Sequence, residues 1–493
     1  SSDLPLKLPP GVFRNGTAYS SSGRFYDSSL VRFFEGTIRP VGGWKKVDST
    51  QTALSGISRA IHTWRSSQSK FVAVGTHTNL YCSQDGGTLD DITPAGYVSG
   101  RADSLPGLGY GYGSYGGGNF NESQYSTTPL EATVWSLDNW GNYLIACANT
   151  DGKIYKWTGT GVATVISAAP TGNRMVLVTP ERHLVALGAG GNSRLVQWCS
   201  QENYDDWTPV ATNTAGDIEL QTQGSITTAR KVRGQTLILT DMDAHVMTYQ
   251  GLPYVYGVER VGSGCGCAGI NAIAVVDSGA VWMGFGSFYS FNGNVSPLPS
   301  DVSDYVFSDI NLSQSAKIFA GVNSAFREIT WFYPSAASTE NDRYVTYNYA
   351  EGHWSIGTLA RTCWSDFGVY PHPLAVSADG YLYEHESGWT NDGTSLGAAR
   401  FLESGPVEIS GGNQIIHATQ VIPDERSAGQ VQLRFYTKAT PESSSASYGP
   451  YQMSPYTNVR FSGRQFAMRI EGTSDTDWRV GIIRLDGKPG GQR

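Results

Sequence analysis

The chain has 493 residues, enough for a large core and more than one domain. Its 59 Gly, 27 Tyr, 18 Phe and 13 Trp, with only 16% charged residues, predict a mostly β protein of short strands and tight turns. A net charge of −8 argues against a surface that grips nucleic acid through clustered Lys and Arg, while leaving room for DNA to pass without being held.

Residues 1–24 are rich in Pro, Ser and Gly and read as an extended N-terminal arm. SSDLPLKLPPG has no basic segment ahead of an apolar run, and no stretch approaches 18 consecutive apolar residues, so neither a secretory signal nor membrane insertion is expected. From Arg24 the chain turns amphipathic. Leu30 to Phe34 and Thr37 to Val41 flank a Glu35-Gly36 turn, the pattern of a hairpin.

A unit of apolar strand, polar turn and aromatic strand then recurs, with segments starting at Phe71, Tyr143, His183, Thr236, Val281, Glu328 and Leu374. The clearest copy is Val281 to Pro299, where Asn292-Gly293 between apolar runs is a strong hairpin signal. One such sheet cannot bury both faces alone. Self-similar β units at a period of roughly 40 to 50 residues are the mark of a β-propeller. The expected fold is therefore all-β: a propeller of about six to eight blades over residues 25–399, the hairpin at about 25–47 supplying strands to the blade begun near Leu374.

The first interval holds an insertion at about 96–133 containing PGLGYGYGSYGGGNF. Its glycines permit unusual backbone angles, and Tyr110, Tyr112, Tyr115 and Phe120 make it a candidate contact loop for a neighbouring subunit or partner. After about Ala399 the pattern changes to period-two alternation bounded by turns, which predicts a separate antiparallel β-sandwich over 400–493.

No Gly-x-Ser-x-Gly elbow, His-Glu-x-x-His helix or phosphate-cradling glycine loop is present, so no catalytic residue, cofactor or metal site is assigned and the chain is read as a non-enzyme. Cys82, Cys147 and Cys199 sit in strand-like segments and read as buried free thiols; Cys265-Gly-Cys267 is too closely spaced for a zinc knuckle. Asp85-Gly86 and Asp379-Gly380 loosely resemble the Asp-box turns of sialidase-like propellers, which are structural. The aromatic and acidic clusters 201–207 (QENYDDW) and 381–389 (YLYEHESGW) are candidate sugar platforms or inter-blade packing.

LPPGVFRNGTAYSSSGRFYDSSLVRFFEGTIRPVGGW, the Gly-Tyr-rich insertion followed by VWSLDNWGNYLIACANTDGKIYKW, WCSQENYDDWTPVATNTAGDIEL, VGSGCGCAGINAIAVV with MGFGSFYSFNGNVSPLPSDVSDYVFSDIN, and TDWRVGIIRLDGKPGG span nearly the whole chain. These stretches resemble the tail nozzle proteins of short-tailed bacteriophages, also called tail tubular protein B or packaged-DNA stabilisation proteins. The resemblance implies a virion tail subunit without enzyme activity, assembled as a ring, typically a hexamer, below the portal and adaptor. Such a ring ends the DNA channel, retains packaged double-stranded DNA and offers a platform for fibres or a needle. Six copies would carry roughly −48, a sign that discourages phosphate from sticking to a lumen wall. The rival expectations are a receptor- or glycan-binding propeller of a phage tail and a glycan hydrolase.

Overall fold

The computed structural model describes residues 2–105, 129–408, 412–424, 428–440 and 443–491. In the clearest repeat, Gly279–Met283, Phe288–Phe291 and Val295–Leu298 form successive antiparallel strands, and Gly293 takes φ +117° in the turn between the last two. A further strand, Ile273–Val276, precedes them and completes a four-stranded sheet.

The same addition recurs in every unit. The segments that start at Phe71 to Leu374 are the second and third strands of their sheets, and a further strand lies inside each. The first strands are Ser58–Arg65, Trp135–Trp140, Met175–Val178, Ile226–Val232, Ile273–Val276, Phe319–Asn323 and Cys363–Ser365. Each touches the next, and the last touches the first, so seven four-stranded antiparallel sheets among the described residues stand around one axis. That is a propeller arrangement, and the sheets are numbered here as blades 1 to 7.

Indoles stitch neighbouring blades. Trp135 of blade 2 donates Nε1–H to the Thr76 carbonyl of blade 1 at 2.7 Å, Trp331 of blade 6 to Ala272 at 2.9 Å, and Trp364 of blade 7 to Val322 of blade 6 at 2.9 Å. A ring with one polar edge suits this position, because its area is buried while its donor is satisfied. Two glycines make the fit possible: a Cβ at Gly75 would lie 2.5 Å from the Trp135 ring, and one at Gly321 would lie 2.5 Å from Trp364.

The last blade is completed from the other end of the chain. Trp44–Lys46 pairs antiparallel with Leu382–His385, as the fourth strand of blade 7. Trp44 is buried, stacks on His385 with ring centroids 5.2 Å apart, and donates to Asn391 Oδ1 at 2.7 Å. The rest of the 25–47 stretch does not enter the blade. Val31–Phe34 and Thr37–Pro40 form a hairpin of their own, with Glu35 and Gly36 both at positive φ as its two-residue turn demands. Arg32 anchors it: the buried guanidinium holds Glu328 of blade 6 at 3.0 Å and Glu386 beyond blade 7 at 2.5 Å.

The remaining strands make two sheets packed as a sandwich. Ser2–Leu6 lies at the edge of a four-stranded sheet beside Ile483–Pro489, with Ile416–Ile422 and Thr457–Gly463 beyond. Phe25–Ser29 is the edge of a six-stranded sheet, next to Phe401–Ser404, then Gln465–Gly472, Val431–Lys438 and Ala446–Gln452, with Val407–Glu408 also on Gln465–Gly472. The stretch read as an arm thus contributes a strand. Pro5 is tolerated there because an edge strand leaves one row of N–H positions unused. Phe435, Phe461, Phe466, Ile470, Trp478 and Leu485 form the sandwich core.

Removing the closing side chain, Trp44→Ala, is expected to cost about 3–5 kcal/mol in urea unfolding, the range for a buried aromatic. Gly321→Ala is expected to cost about 1–3 kcal/mol, because the added methyl overlaps the Trp364 ring. Losses under half a kilocalorie in both would show that the ring does not depend on these contacts.

Candidate functional site

Two places gather polar groups from many elements: the axis of the disc, and the face from which the insertion leaves it. All seven inner strands line an axial cavity of about 500 Å³. Its polar wall includes His62, Asp138, Arg230, Lys231 and Asp366. Asp138 accepts from the Val178 N–H and from Lys231 Nζ, each at 2.9 Å, so those two charges neutralise each other. Burial holds His62 below its ordinary pKa, and its Nε2 lies 3.0 Å from Asn139 Oδ1.

The axis is crossed by protein where the inner strands begin. Arg230 of blade 4 donates to Thr228 Oγ1, Ala229 O, Ile270 O and Asn271 Oδ1 at 2.8–2.9 Å, and Asn271 in turn donates to Arg59 O of blade 1 at 3.1 Å. Burial beside neutral partners lowers the Arg230 guanidinium to about 10. Val134, Ile270 and Ala316, from blades 2, 5 and 6, add an apolar contact. Four donors spent on protein oxygens make Arg230 a staple between blades 4 and 5, which Asn271 extends across the axis to blade 1.

The insertion departs from that same end. Tyr110, Tyr112, Tyr115 and Phe120 lie outside the described residues; the described stems are 96–105 and 129–134, paired at Leu105 and Leu130. Lys317, whose side chain is fully buried, donates at 2.5 Å to Asp103 and at 3.0 Å to Glu340, and Arg59 donates to both Glu340 oxygens at 2.8 and 2.5 Å. Gln314 receives the Ser104 N–H at 2.9 Å. On the other stem, Glu131 receives two bonds from Arg174 at 2.7 and 3.2 Å. Buried charges hold when paired and hydrogen-bonded, which is how these stems are fixed. The stems border a groove of about 940 Å³ where Leu105, Leu130, Phe285 and Leu312 are exposed.

The two aromatic clusters lie apart. In 201–207, Trp207 is buried and donates to Tyr204 O at 2.7 Å, while Tyr204 meets Trp140 edge-on at 5.6 Å between blades 2 and 3. In 381–389, Tyr383 and His385 are buried in blade 7, and Glu384 and Glu386 answer Lys45 and Arg32. Both clusters are packing. Asp85 Oδ1 caps the Lys70 N–H at 2.8 Å and Asp379 Oδ1 the Tyr381 N–H at 3.0 Å, as turn residues do.

All six cysteines are free and buried, and burial raises every thiol, Cys265 to about 11, which leaves them poor nucleophiles. Among the described residues no three His, Cys, Asp or Glu side chains gather to hold a metal, and no helix is long and apolar enough to cross a membrane. Sequence reasoning missed Arg59, Arg230, Lys317 and Glu340. The signal was there for two of them, as basic residues inside the apolar inner strands SRAIHTW and ITTARKV.

No family model and no curated protein matches the chain. Among solved structures it is similar to virginiamycin B lyase from Staphylococcus aureus, at 8% identity and TM-score 0.43 over 69% of this chain and 97% of that one. It is also similar to a protein solved as a gluconolactonase, at 11% identity and TM-score 0.33 over 72% of this chain and 93% of that one. Likenesses this distant carry nothing about chemistry.

Burial alone would raise Glu340 and Glu131, but Arg59 and Lys317 on the first, and Arg174 on the second, win and hold both below the usual 4.5. A depressed folded pKa contributes stability that is complete above the unfolded value and lost as pH falls through the folded one. Glu340→Gln, which takes the carboxylate from buried Arg59 and leaves Lys317 only Asp103, should therefore cost about 3 kcal/mol at pH 7 and much less near pH 3, read from urea midpoints. An equal cost at both pH values would contradict the ion-pair reading.

Proposed function

We propose that this chain is a structural subunit of the tail nozzle of a short-tailed phage, a ring, hexameric by that resemblance, which sits below the adaptor, ends the DNA channel and retains and conducts packaged DNA. The observation that carries this reading is the way the chain ends are woven into the folded body. Residues 2–6 pair with 483–489, 25–29 with 401–404, and 44–46 with 382–385. Each end of the chain is therefore held by a ladder to a segment hundreds of residues away and cannot fray from the body without breaking it. That suits a wall that withstands the pressure of packaged DNA.

Three further points support it. The resembling segments span blades and sandwich alike. The axis of the disc is bridged between blades 1, 4 and 5, so DNA would run between copies around a ring and not through one disc. The surplus of 43 acidic over 35 basic residues suits a lumen that does not hold phosphate. Adaptor, portal and fibre or needle proteins are the partners this reading calls for, and the virion tail is its location.

Mass measurement and cryo-electron microscopy of the chain bound to adaptor rings should show a closed cyclic assembly with an acidic lumen. Monomers only within intact particles, or a lumen lined mainly by Lys and Arg, would overturn the proposal.

A further inference from the structure

The outer face of the six-stranded sandwich sheet carries a hollow that neither the disc nor the nozzle reading uses. Along Gln465–Gly472 the side chains of Gln465, Ala467, Arg469 and Glu471 point away from the core, which Phe466, Met468 and Ile470 fill. Ala467 is the small member of that row. Opposite it in register stands Tyr436, and across the sheet Tyr26 sits at a bulge between Phe25 and Asp27. A cavity of about 370 Å³ results, bounded by Tyr19, Tyr26, Glu403, Pro406, Tyr436 and Gln465.

Its walls are held before any ligand arrives. The Arg14 guanidinium lies 4.4 Å from the centre of the Tyr26 ring and pairs with Asp27 at 3.2 Å, which backs one face of that ring. Tyr19 donates its hydroxyl to Glu408. Glu403 receives Arg469 on Oε2 at 3.1 Å, while no protein donor reaches its Oε1 among the described residues. Gln465 is 6% exposed, and its side-chain amide meets no protein partner among the described residues. The Gln465 carboxamide and the Glu403 carboxylate both line the hollow and so offer it a donor and acceptors.

We propose that this hollow is a carbohydrate-binding site that takes a neutral pyranose ring. A sugar has an apolar C–H face, which an aromatic ring covers, and equatorial hydroxyls, which a carboxylate oxygen and a carboxamide read as acceptor and donor. Glu403 and Lys438 both line the hollow, so charges of either sign are balanced there and a neutral ligand suits it best. The site is independent of the nozzle reading: a subunit at the tip of a tail could use it on a host surface, but the geometry holds for a lone chain as well.

The test uses the full chain with methyl glycosides of glucose, galactose, mannose, rhamnose and N-acetylglucosamine, followed by saturation-transfer NMR and calorimetry. At least one glycoside should bind saturably in the millimolar range, and Tyr436→Ala and Gln465→Ala should each weaken it about tenfold. Ala467→Trp, which fills the hollow, should abolish binding with the thermal transition retained, and Tyr254→Ala on the exposed blade 4 turn should change nothing. No saturable binding by any of the five, binding that survives Ala467→Trp, or a proline-rich peptide or second copy of the chain occupying the hollow in their place would overturn it. Ring assembly is read separately by mass in the presence of adaptor rings, so a chain that binds sugar but closes no ring there refutes only the nozzle.

Discussion

Everything in this molecule depends on one pairing of distant segments, Trp44–Lys46 against Leu382–His385. Without it blade 7 ends in an unpaired edge, and an open sheet edge is both unstable and a template for aggregation. Closing so long a loop costs entropy only logarithmically in its length, which a stacked, hydrogen-bonded Trp and a short ladder can offset. The Arg32 clamp onto Glu328 and Glu386 repeats the tie one step away, joining the N-terminal hairpin to blades 6 and 7. Because Phe25–Ser29 lies just ahead of that hairpin and belongs to the sandwich, closing the disc also positions the second domain.

Much of this was legible in the sequence, and the reasons differ by element. The second and third strands of each blade alternate around polar turns, and Asn292-Gly293 announces its hairpin, so they stood out. Their inner strands did not, since MVLV is buried on both faces without alternation and CWS is only three residues long. The closing strand WKK is three residues long and reads as nothing by itself. SDLPL lies in a stretch rich in Pro, Ser and Gly that reads as an arm, yet it forms a strand because an edge tolerates Pro5.

The sites were less legible. The aromatic clusters around Trp207 and Tyr383 are by composition either platforms or packing, and register shows their rings used in packing between or within blades. The stem network draws Arg59, Asp103, Lys317 and Glu340 from positions scattered over the chain, so no spacing could reveal it. The sugar hollow rests on an absence of bulk at Ala467 between residues of three separate strands, which only register can show. The axis of the disc is bridged by Arg230, Asn271 and the Arg59 carbonyl, while its faces, its stems and the sandwich surface remain to meet other molecules.

The central claim is that interwoven chain ends make disc and sandwich a single cooperative body. Calorimetry of the full chain, with near-ultraviolet circular dichroism and hydrogen exchange at Ile483–Pro489 and Leu382–His385 followed through the same ramp, tests it directly. The account predicts one coincident transition in which both segments lose protection together. A sandwich that melts separately, while blade 7 stays protected, would contradict it.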